Sequence, residues 1–336
     1  MLPQETLEAV SRGLREAFGV TGHEDISRLT GGHTASLIFR LVVHGSPYLM
    51  KIITRAEDPS QHYASMRAAA EAGLAPRVWY TDPENRISIT DFVTAAPLPL
   101  SEALVRLACL LRTLHALPPF ARAPFNTTCT YLLHTWPVLD VFVQTFQAAN
   151  ILPKAERDEF FARYVELAAV YPYKDAEMVA SHNDLFKPDN ILFDGHKIWL
   201  IDWEAAFLND RYADLAVVAN QVVTNEAEES VFLSQYFGAA PDPYQQARFH
   251  LMQQLSHLFY TMSFLMLGCA GQPVDCTKPV PEFRDYQRRY WAGDFDMTDK
   301  DMKVVYGRVH WERLLHNVRQ PRYQEALRIV SRRKRP

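Results

Sequence analysis

Cysteine is scarce in this chain, with 4 in 336 residues, at Cys109, Cys129, Cys269 and Cys276. No two of them form a C-x-x-C pair, and so few in so long a chain give no disulfide framework. A reduced, cytoplasmic protein is the expectation. Glycine is also sparse at 13, and the 21 prolines are scattered, which excludes collagen-like and low-complexity repeats. Neither sign of charge dominates: 35 Lys and Arg stand against 39 Asp and Glu, a net of −4. Such a chain has no global attraction to nucleic acid or to an anionic membrane, and neither is expected as a partner. Long hydrophobic runs are missing too. The most apolar stretch, 255–270, is interrupted by Ser256, His257 and Ser263; it is short for a membrane span and reads as a buried helix. The N-terminus, MLPQETLEAVSRGLREAFGV, carries acidic residues and has no apolar signal-peptide core.

What is present is ordinary globular composition, 48% hydrophobic and 22% charged, in a chain long enough for two lobes. Leu7, Val10, Leu14 and Phe18 fall at helical spacing. Residues 26–29, 36–43 and 47–53 are rich in β-branched and apolar residues and are separated by Gly31-Gly32 and His44-Gly45-Ser46, which predicts a three-stranded antiparallel meander. An alanine-rich helix is predicted over 60–72, stopped by Gly73 and Pro76, followed by strands over 78–81 and 86–90 around the turn Asp82-Pro83-Glu84-Asn85. The linker TAAPLP over 94–99 is the candidate boundary, giving an N-lobe over 1–93 and a mostly helical C-lobe over 94–336. Within that C-lobe, Asp194-Gly195 between Asn190-Ile-Leu-Phe193 and His196-Lys-Ile-Trp-Leu-Ile-Asp202 predicts a β-hairpin.

Polar residues gather at both ends of this hairpin: Ser181-His182-Asn183-Asp184 before it, Asn190 at its entry, and Asp202-Trp203-Glu204 at its exit. Because a hairpin returns the chain on itself, Asp184, Asn190 and Asp202 are expected to converge. Carboxylate and amide oxygens so grouped suit Mg²⁺, which takes few protein ligands and leaves positions for phosphate oxygens. A further carboxylate nearby can orient an attacking hydroxyl. These are the parts of a phosphoryl-transfer site, in which positioning and charge neutralisation do most of the catalysis.

The segment SHNDLFKPDNILFDGHKIWLIDWEAAFLNDRYADLA resembles the catalytic segment of the aminoglycoside phosphotransferase and choline kinase superfamily, and its wording is nearest the choline/ethanolamine kinase-like branch. Thr30-Gly31-Gly32-His33-Thr34 resembles that family's nucleotide-binding loop, Lys51 its ATP lysine, and Leu111-Arg-Thr-Leu-His115 the first large helix of its C-lobe. The resemblance covers roughly residues 25–220 and is most specific over 181–216. It implies a protein-kinase-like two-lobed α+β fold, with ATP and Mg²⁺ as cofactors and a small-molecule hydroxyl as acceptor. It also implies roles for single residues. Asp184 is the catalytic base or orienter, and Asn190 and Asp202 hold Mg²⁺. Lys51, Gly31, Gly32 and Thr34 bind phosphates, and the hinge of Thr90, Asp91, Phe92 and Val93 binds adenine. His182 and Asp214 support the catalytic loop.

The chain departs from the family pattern twice. Five residues, Leu185 to Asp189, stand between Asp184 and Asn190 where the family has four. Either the loop bulges, the preferred reading, or Asp189 supplies the second metal ligand. The usual position of the lysine's carboxylate partner holds His62, with Glu57 and Glu71 the nearest acids and both off register. The preferred acceptor is choline, ethanolamine or a similar amino alcohol, because acids (Glu204, Glu226, Asp285) and aromatics (Trp203, Tyr260, Tyr290, Trp291) are available to compensate an ammonium group. Glu204 and Trp203 are the first candidates, since alternation past Asp202 points Glu204 the same way. An aminoglycoside or another small metabolite as acceptor, and a nucleotide-binding protein without turnover, are the alternatives.

Overall fold

The alternation of the first hundred residues closes into a five-stranded antiparallel sheet. A computed structural model describes residues 4–29, 36–122, 136–173, 177–186, 188–295 and 297–333. The strands are β1 (Asp25–Leu29), β2 (Ser36–Val43), β3 (Ser46–Ile53), β4 (Val78–Asp82) and β5 (Ile87–Asp91), in the order β1-β2-β3-β5-β4. His44 and Gly45 join β2 to β3 with φ of 49° and 70°, the left-handed pair that matches the twist of a tight hairpin. Helix α1 (Gln4–Phe18) lays Val10 and Leu14 on Leu41, Met50, Ile87 and Ile89, which form the core of this unit. Helix α2 (Ser60–Glu71) ends at Gly73, whose φ of 73° is the left-handed cap position; Leu74 then donates to the Ala69 carbonyl at 2.8 Å.

The predicted hairpin forms as β7 (Ile191–Phe193) and β8 (Ile198–Leu200), but its turn is longer than an Asp-Gly pair. Phe193 pairs with Ile198, so His196 and Lys197 belong to the turn and not to the strand. The cause is the Asp194 carboxylate, which accepts from the backbone N–H groups of His196 and Lys197 at 2.8 and 2.7 Å and from the Trp199 indole at 2.7 Å. These donors hold its carboxyl down at about 2. Leu200 donates to the Leu74 carbonyl at 2.8 Å and Ala96 to the Phe193 carbonyl at 2.6 Å. Contacts therefore group Asp189–Ala206 with Met1–Pro99, while Leu100–Pro188 and Phe207–Pro336 form the second unit. The expected division at 93/94 counted the hairpin with the C-lobe.

The second unit is mostly helical: α3 (Leu100–His115), α4 (Trp136–Ala149), α5 (Lys154–Val170), α6 (Arg211–Val222), α7 (Glu226–Phe237), α8 (Pro243–Cys269), α9 (Phe283–Trp291), α10 (Lys300–Val318) and α11 (Pro321–Arg332). A two-stranded antiparallel pair, β6 (Met178–Ser181) with β9 (Phe207–Asp210), lies among them. The long helix α8 is buried along most of its length and packs against α4, α5, α6, α10 and α11. Its approach to α10 depends on Gly268 and Gly307: a Cβ on Gly268 would meet the Lys300 carbonyl oxygen at 2.8 Å, and one on Gly307 the Leu265 backbone at 3.1 Å. Arg248 of α8 reaches the Asp210 carboxylate at 2.9 Å, both groups being buried, and Tyr171 donates to the same carboxylate at 2.8 Å. Asp210 also caps α6 by accepting from Tyr212 N–H at 3.0 Å. Among the described residues, no helix is long and apolar enough to cross a membrane.

Candidate active site

In the second unit, the β6–β9 pair launches the chain segment that carries Asp184. Ser181 ends β6 opposite Phe207, and the backbone turns at Asn183 with φ of 65°. That conformation is uncommon for a residue with a Cβ, though asparagine tolerates it better than most. It is held from two sides. The Asn183 amide donates to the Phe207 carbonyl at 3.3 Å and its oxygen accepts from Asn209 at 2.7 Å. The Asp214 carboxylate, on α6, accepts from the backbone N–H groups of His182 at 2.8 Å and Asn183 at 2.9 Å.

Asp214 is itself fully buried, at 1% exposure. Burial pushes its carboxyl up, but the hydrogen bond from His115, the charges of His115 and His182 and the His182 N–H more than offset this and hold it below its ordinary value. His115 Nε2 lies 3.3 Å from Asp214, and its Nδ1 lies 2.7 Å from the Tyr236 hydroxyl. Asp184, buried at 3% exposure, therefore follows a turn that is fixed at the backbone. On its other side Gln221 donates its amide to the Leu185 carbonyl at 2.6 Å.

In the first unit, the charged residues of the hairpin meet the sheet. Lys51, in the middle of β3 opposite Ile38 and Ser88, places Nζ 2.8 Å from Asp202 Oδ1 and 2.8 Å from Glu204 Oε1. Arg55 pairs with the other oxygen of Glu204. Burial alone would lower the lysine's pKa, but the two carboxylates reverse the sign and raise it, so the ammonium stays charged. Asp202 adopts a left-handed conformation with φ of 65°, at the start of the 3₁₀ turn Trp203–Ala205. Backbone strain of this kind persists where the surroundings over-determine it, and here the Lys51 ion pair does so. Ile201 N–H donates to the Asn190 carbonyl at 3.1 Å, which brings Asn190 alongside the residue that precedes Asp202.

Glu204 is thus the carboxylate partner of Lys51 that the position of His62 left open. It is not disposed toward an acceptor, as alternation had suggested: its two oxygens are taken by Lys51 and Arg55. Glu57 and Glu71 are both exposed. Helix α2 packs on the 203–205 turn, so the turn brings an acid to the lysine in place of one from α2. Trp203 is 1% exposed and donates its indole N–H to the Leu200 carbonyl at 3.2 Å; it is a core side chain, not a wall for an ammonium group. Tyr260 and Tyr290 are buried and pack on Tyr306. Of the residues expected at the hinge, Asp91 accepts from the Trp79 indole at 2.7 Å, Thr90 pairs with Leu49, and Phe92 lies under the Arg40 guanidinium; Val93 is half-buried. Gly31, Gly32 and Thr34 lie outside the described residues. Nothing local in the sequence marks Tyr236, Asn209 or Gln221, and His115 shows there only as part of a helix; all four fix the Asp184 loop.

Among the described residues, no cluster of three or more His, Cys, Asp or Glu side chains is disposed to hold an ion. Asn190 and Asp202 offer hard oxygen donors, the chemistry Mg²⁺ accepts when substrate phosphates complete its shell. In the loop, Asn190 is buried at the end of the 3₁₀ turn Pro188–Asn190, while Asp189 is exposed. Asn190→Ala is therefore expected to raise the Mg²⁺ concentration needed for half-maximal rate about tenfold or more, the loss of roughly 1.4 kcal/mol in binding, and Asp189→Ala to leave it unchanged. A Mg²⁺ titration of both variants that ranked them the other way would move the ligand to Asp189.

Residues 25–250 match the model of the phosphotransferase enzyme family, and the chain belongs to that family. No curated protein matches. A solved choline/ethanolamine kinase family protein from Mesorhizobium loti is 20% identical, with a TM-score of 0.65 over 97% of this chain and 99% of that one. The choline kinase LicA from Streptococcus pneumoniae is 14% identical, with a TM-score of 0.55 over 94% and 99%. The phosphotransferase in a ternary complex of streptomycin, ATP and APH(2")-IIa is 13% identical, with a TM-score of 0.56 over 80% and 91%. The fold is the protein-kinase-like one these share, with a small antiparallel-sheet N-lobe and a helical C-lobe.

Proposed function

We propose that this chain transfers the γ-phosphoryl group of ATP to a hydroxyl of a small amino alcohol, with a primary ammonium group of the ethanolamine type preferred over a quaternary one. The kinase reading rests chiefly on the ion pair of Lys51 with Asp202 at 2.8 Å, which joins the candidate phosphate-binding lysine to the candidate metal aspartate. Asp184 accepts the proton of the attacking hydroxyl. Lys51 exchanges its contact with Asp202 for phosphate oxygens, while Glu204, held by Arg55, keeps it aimed. Asn190 and Asp202 would hold Mg²⁺, which when bound neutralises phosphate charge.

The preference for a primary ammonium group comes from the second unit. A cavity of about 610 Å³ is lined by Gln221, Glu228 and Asp285 beside Leu104 and Val231; Arg288 pairs with Asp285, and Arg284 is also on the wall. Gln221 touches the Asp184 loop through the Leu185 carbonyl. Carboxylates and an amide are hydrogen-bond acceptors for N–H donors. A quaternary ammonium has no N–H to give and is compensated by aromatic faces, and among the described residues no aromatic side chain lines this cavity. Relatives named for choline and ethanolamine kinases support the amino-alcohol class.

The test is ATP consumption with Mg²⁺ against ethanolamine, choline and a kanamycin-type sugar, scored by kcat/KM. Ethanolamine-type acceptors are expected to lead. A leading sugar would replace the acceptor class. A raised Tm with Mg-ATP but no turnover on any acceptor would make the chain a nucleotide-binding protein. Glu204→Gln separates the two roles considered for that residue. It is expected to raise KM for Mg-ATP about tenfold, the equivalent of 1.4 kcal/mol, and to leave KM for the acceptor within about twofold. A change confined to the acceptor's KM would return Glu204 to the acceptor pocket.

A further inference from the structure

A second cavity, of about 490 Å³, lies within the helical unit, where the ends of α6 and α7 meet α8, α9, α10 and α11. Its wall carries three arginines, Arg284, Arg313 and Arg322, against two glutamates, Glu226 and Glu229. Arg322 already serves both glutamates, pairing with Glu229 and lying 4.0 Å from Glu226. Among the described residues, the other two arginines have no carboxylate in direct contact, although the charges of Glu282, Glu228 and Glu229 act on Arg284. Arg284 donates to the Asn220 carbonyl at 3.2 Å, and its guanidinium lies 5.3 Å from the centre of the Phe283 ring. Arg313 lies 5.5 Å from the same ring. Among the described residues, neither makes an ion pair.

Burial, and for Arg284 also the charge of Arg313, pulls both guanidiniums below their ordinary values, Arg284 to about 10; Glu282 pulls both the other way, as do Glu228 and Glu229 for Arg284. Two like charges held in a partly dry pocket are costly unless something negative joins them.

Buried polar groups on the same wall are independent evidence of an absent partner. His250, on α8, is 6% exposed, and neither of its ring nitrogens has a hydrogen-bond partner. Burial and the charges of Arg322 and Arg313 push its pKa down to about 3, so the ring is neutral and carries one N–H. Asn220 is 4% exposed, and its oxygen accepts from Gln253 at 3.3 Å while its Nδ2 has no partner. Buried polar atoms left without partners are rare and call for a reason. Around Arg284 and Arg313 the wall offers donors: two guanidiniums, the Asn220 amide and the His250 imidazole N–H.

We propose that this cavity binds a small molecule through a compact oxyanion, a phosphate or carboxylate group, gripped by Arg284 and Arg313 with Asn220 and His250 completing its hydrogen bonds. Planar guanidinium forks match both groups. The volume is ample for such a group together with the remainder of a small metabolite. The cavity shares Arg284 and Thr224 with the wall of the proposed acceptor cavity, but no residue of the Asp184 loop lines it, and anion binding there does not depend on the kinase reading.

The test uses the full chain without nucleotide, titrated with sodium phosphate and separately with sodium acetate against sodium chloride at equal ionic strength, by calorimetry and thermal shift. At least one of the two anions is expected to bind and raise Tm. Arg313→Gln, at a half-buried position, is expected to weaken that binding tenfold or more. The tighter of the two anions identifies the headgroup. Should Arg313→Gln fail to fold, the His250 ring resonances of the unmodified chain are the second readout, and they are expected to shift on adding the anion. Failure of both anions to bind, or binding that Arg313→Gln leaves unchanged, would overturn the proposal, as would unmoved His250 resonances. Loss of turnover on amino alcohols would bear only on the kinase reading.

Discussion

Asp184→Asn is expected to lower kcat by about 10²-fold or more, the usual worth of a positioned general base, while leaving Mg-ATP binding nearly unchanged. The substitution keeps the shape of the side chain and removes its capacity to take a proton. It does not loosen the loop, because the turn is held at the backbone of His182 and Asn183 by Asp214 and through the Asn183 side chain by Asn209. Lys51 and Asp202, the candidate phosphate and metal groups, pair with each other. Steady-state rates on the best acceptor, with Mg-ATP affinity measured by calorimetry, separate the two effects. A variant with near-normal kcat would remove Asp184 from the reaction. A variant that lost Mg-ATP binding as well would mean that the residue holds metal instead of orienting the hydroxyl.

Much of the sheet was legible because its signals are local. Gly31-Gly32, His44-Gly45 and the Asp82–Asn85 turn separate runs of β-branched residues, and all five strands of the sheet follow. Asp194-Gly195 marked the hairpin, but its register slipped because the Asp194 carboxylate builds a longer turn than the pair of residues suggests. The β6–β9 pair was not legible. Each strand is four residues long and pairs across more than twenty intervening residues, too short to show a period.

Glu204 fails for a definite reason. Alternation assumes that the strand continues past Asp202, yet Asp202 is left-handed and Trp203–Ala205 is a 3₁₀ turn, so the side-chain directions no longer have period two. The same break buries Trp203 and swings Glu204 onto Lys51. His115 illustrates the opposite case. In the sequence it belongs only to the segment Leu111-Arg-Thr-Leu-His115 that resembles a C-lobe helix, and the bond that gives it a role is to Asp214, 99 residues away; nothing local signals such a contact.

Asp214→Asn is expected to destabilise the protein by about 3 kcal/mol, on the scale of leaving a buried amide donor unsatisfied and losing charge-assisted hydrogen bonds. The native carboxylate accepts two backbone N–H groups and faces His115, all away from solvent. An asparagine has one acceptor oxygen, and its NH₂ would confront a second donor. The effect carries a pH signature. Because the carboxyl sits below its ordinary value in the fold, its contribution is fully present above the unfolded carboxylate range and is lost as pH falls through the folded value. Stability of the native chain should therefore decline into acid more steeply than that of Asp214→Asn, and the difference between them should narrow. Turnover should fall as well, because a displacement of about 1 Å at a reacting group costs about 10²-fold, and the loop that Asp214 holds ends at Asp184. Urea unfolding at neutral and acidic pH, together with kcat for the same variant, checks both parts. If stability were unchanged at neutral pH, Asp214 would not be what holds this turn in its left-handed conformation, and the position of Asp184 would have to be secured by Asn209 and Gln221 alone.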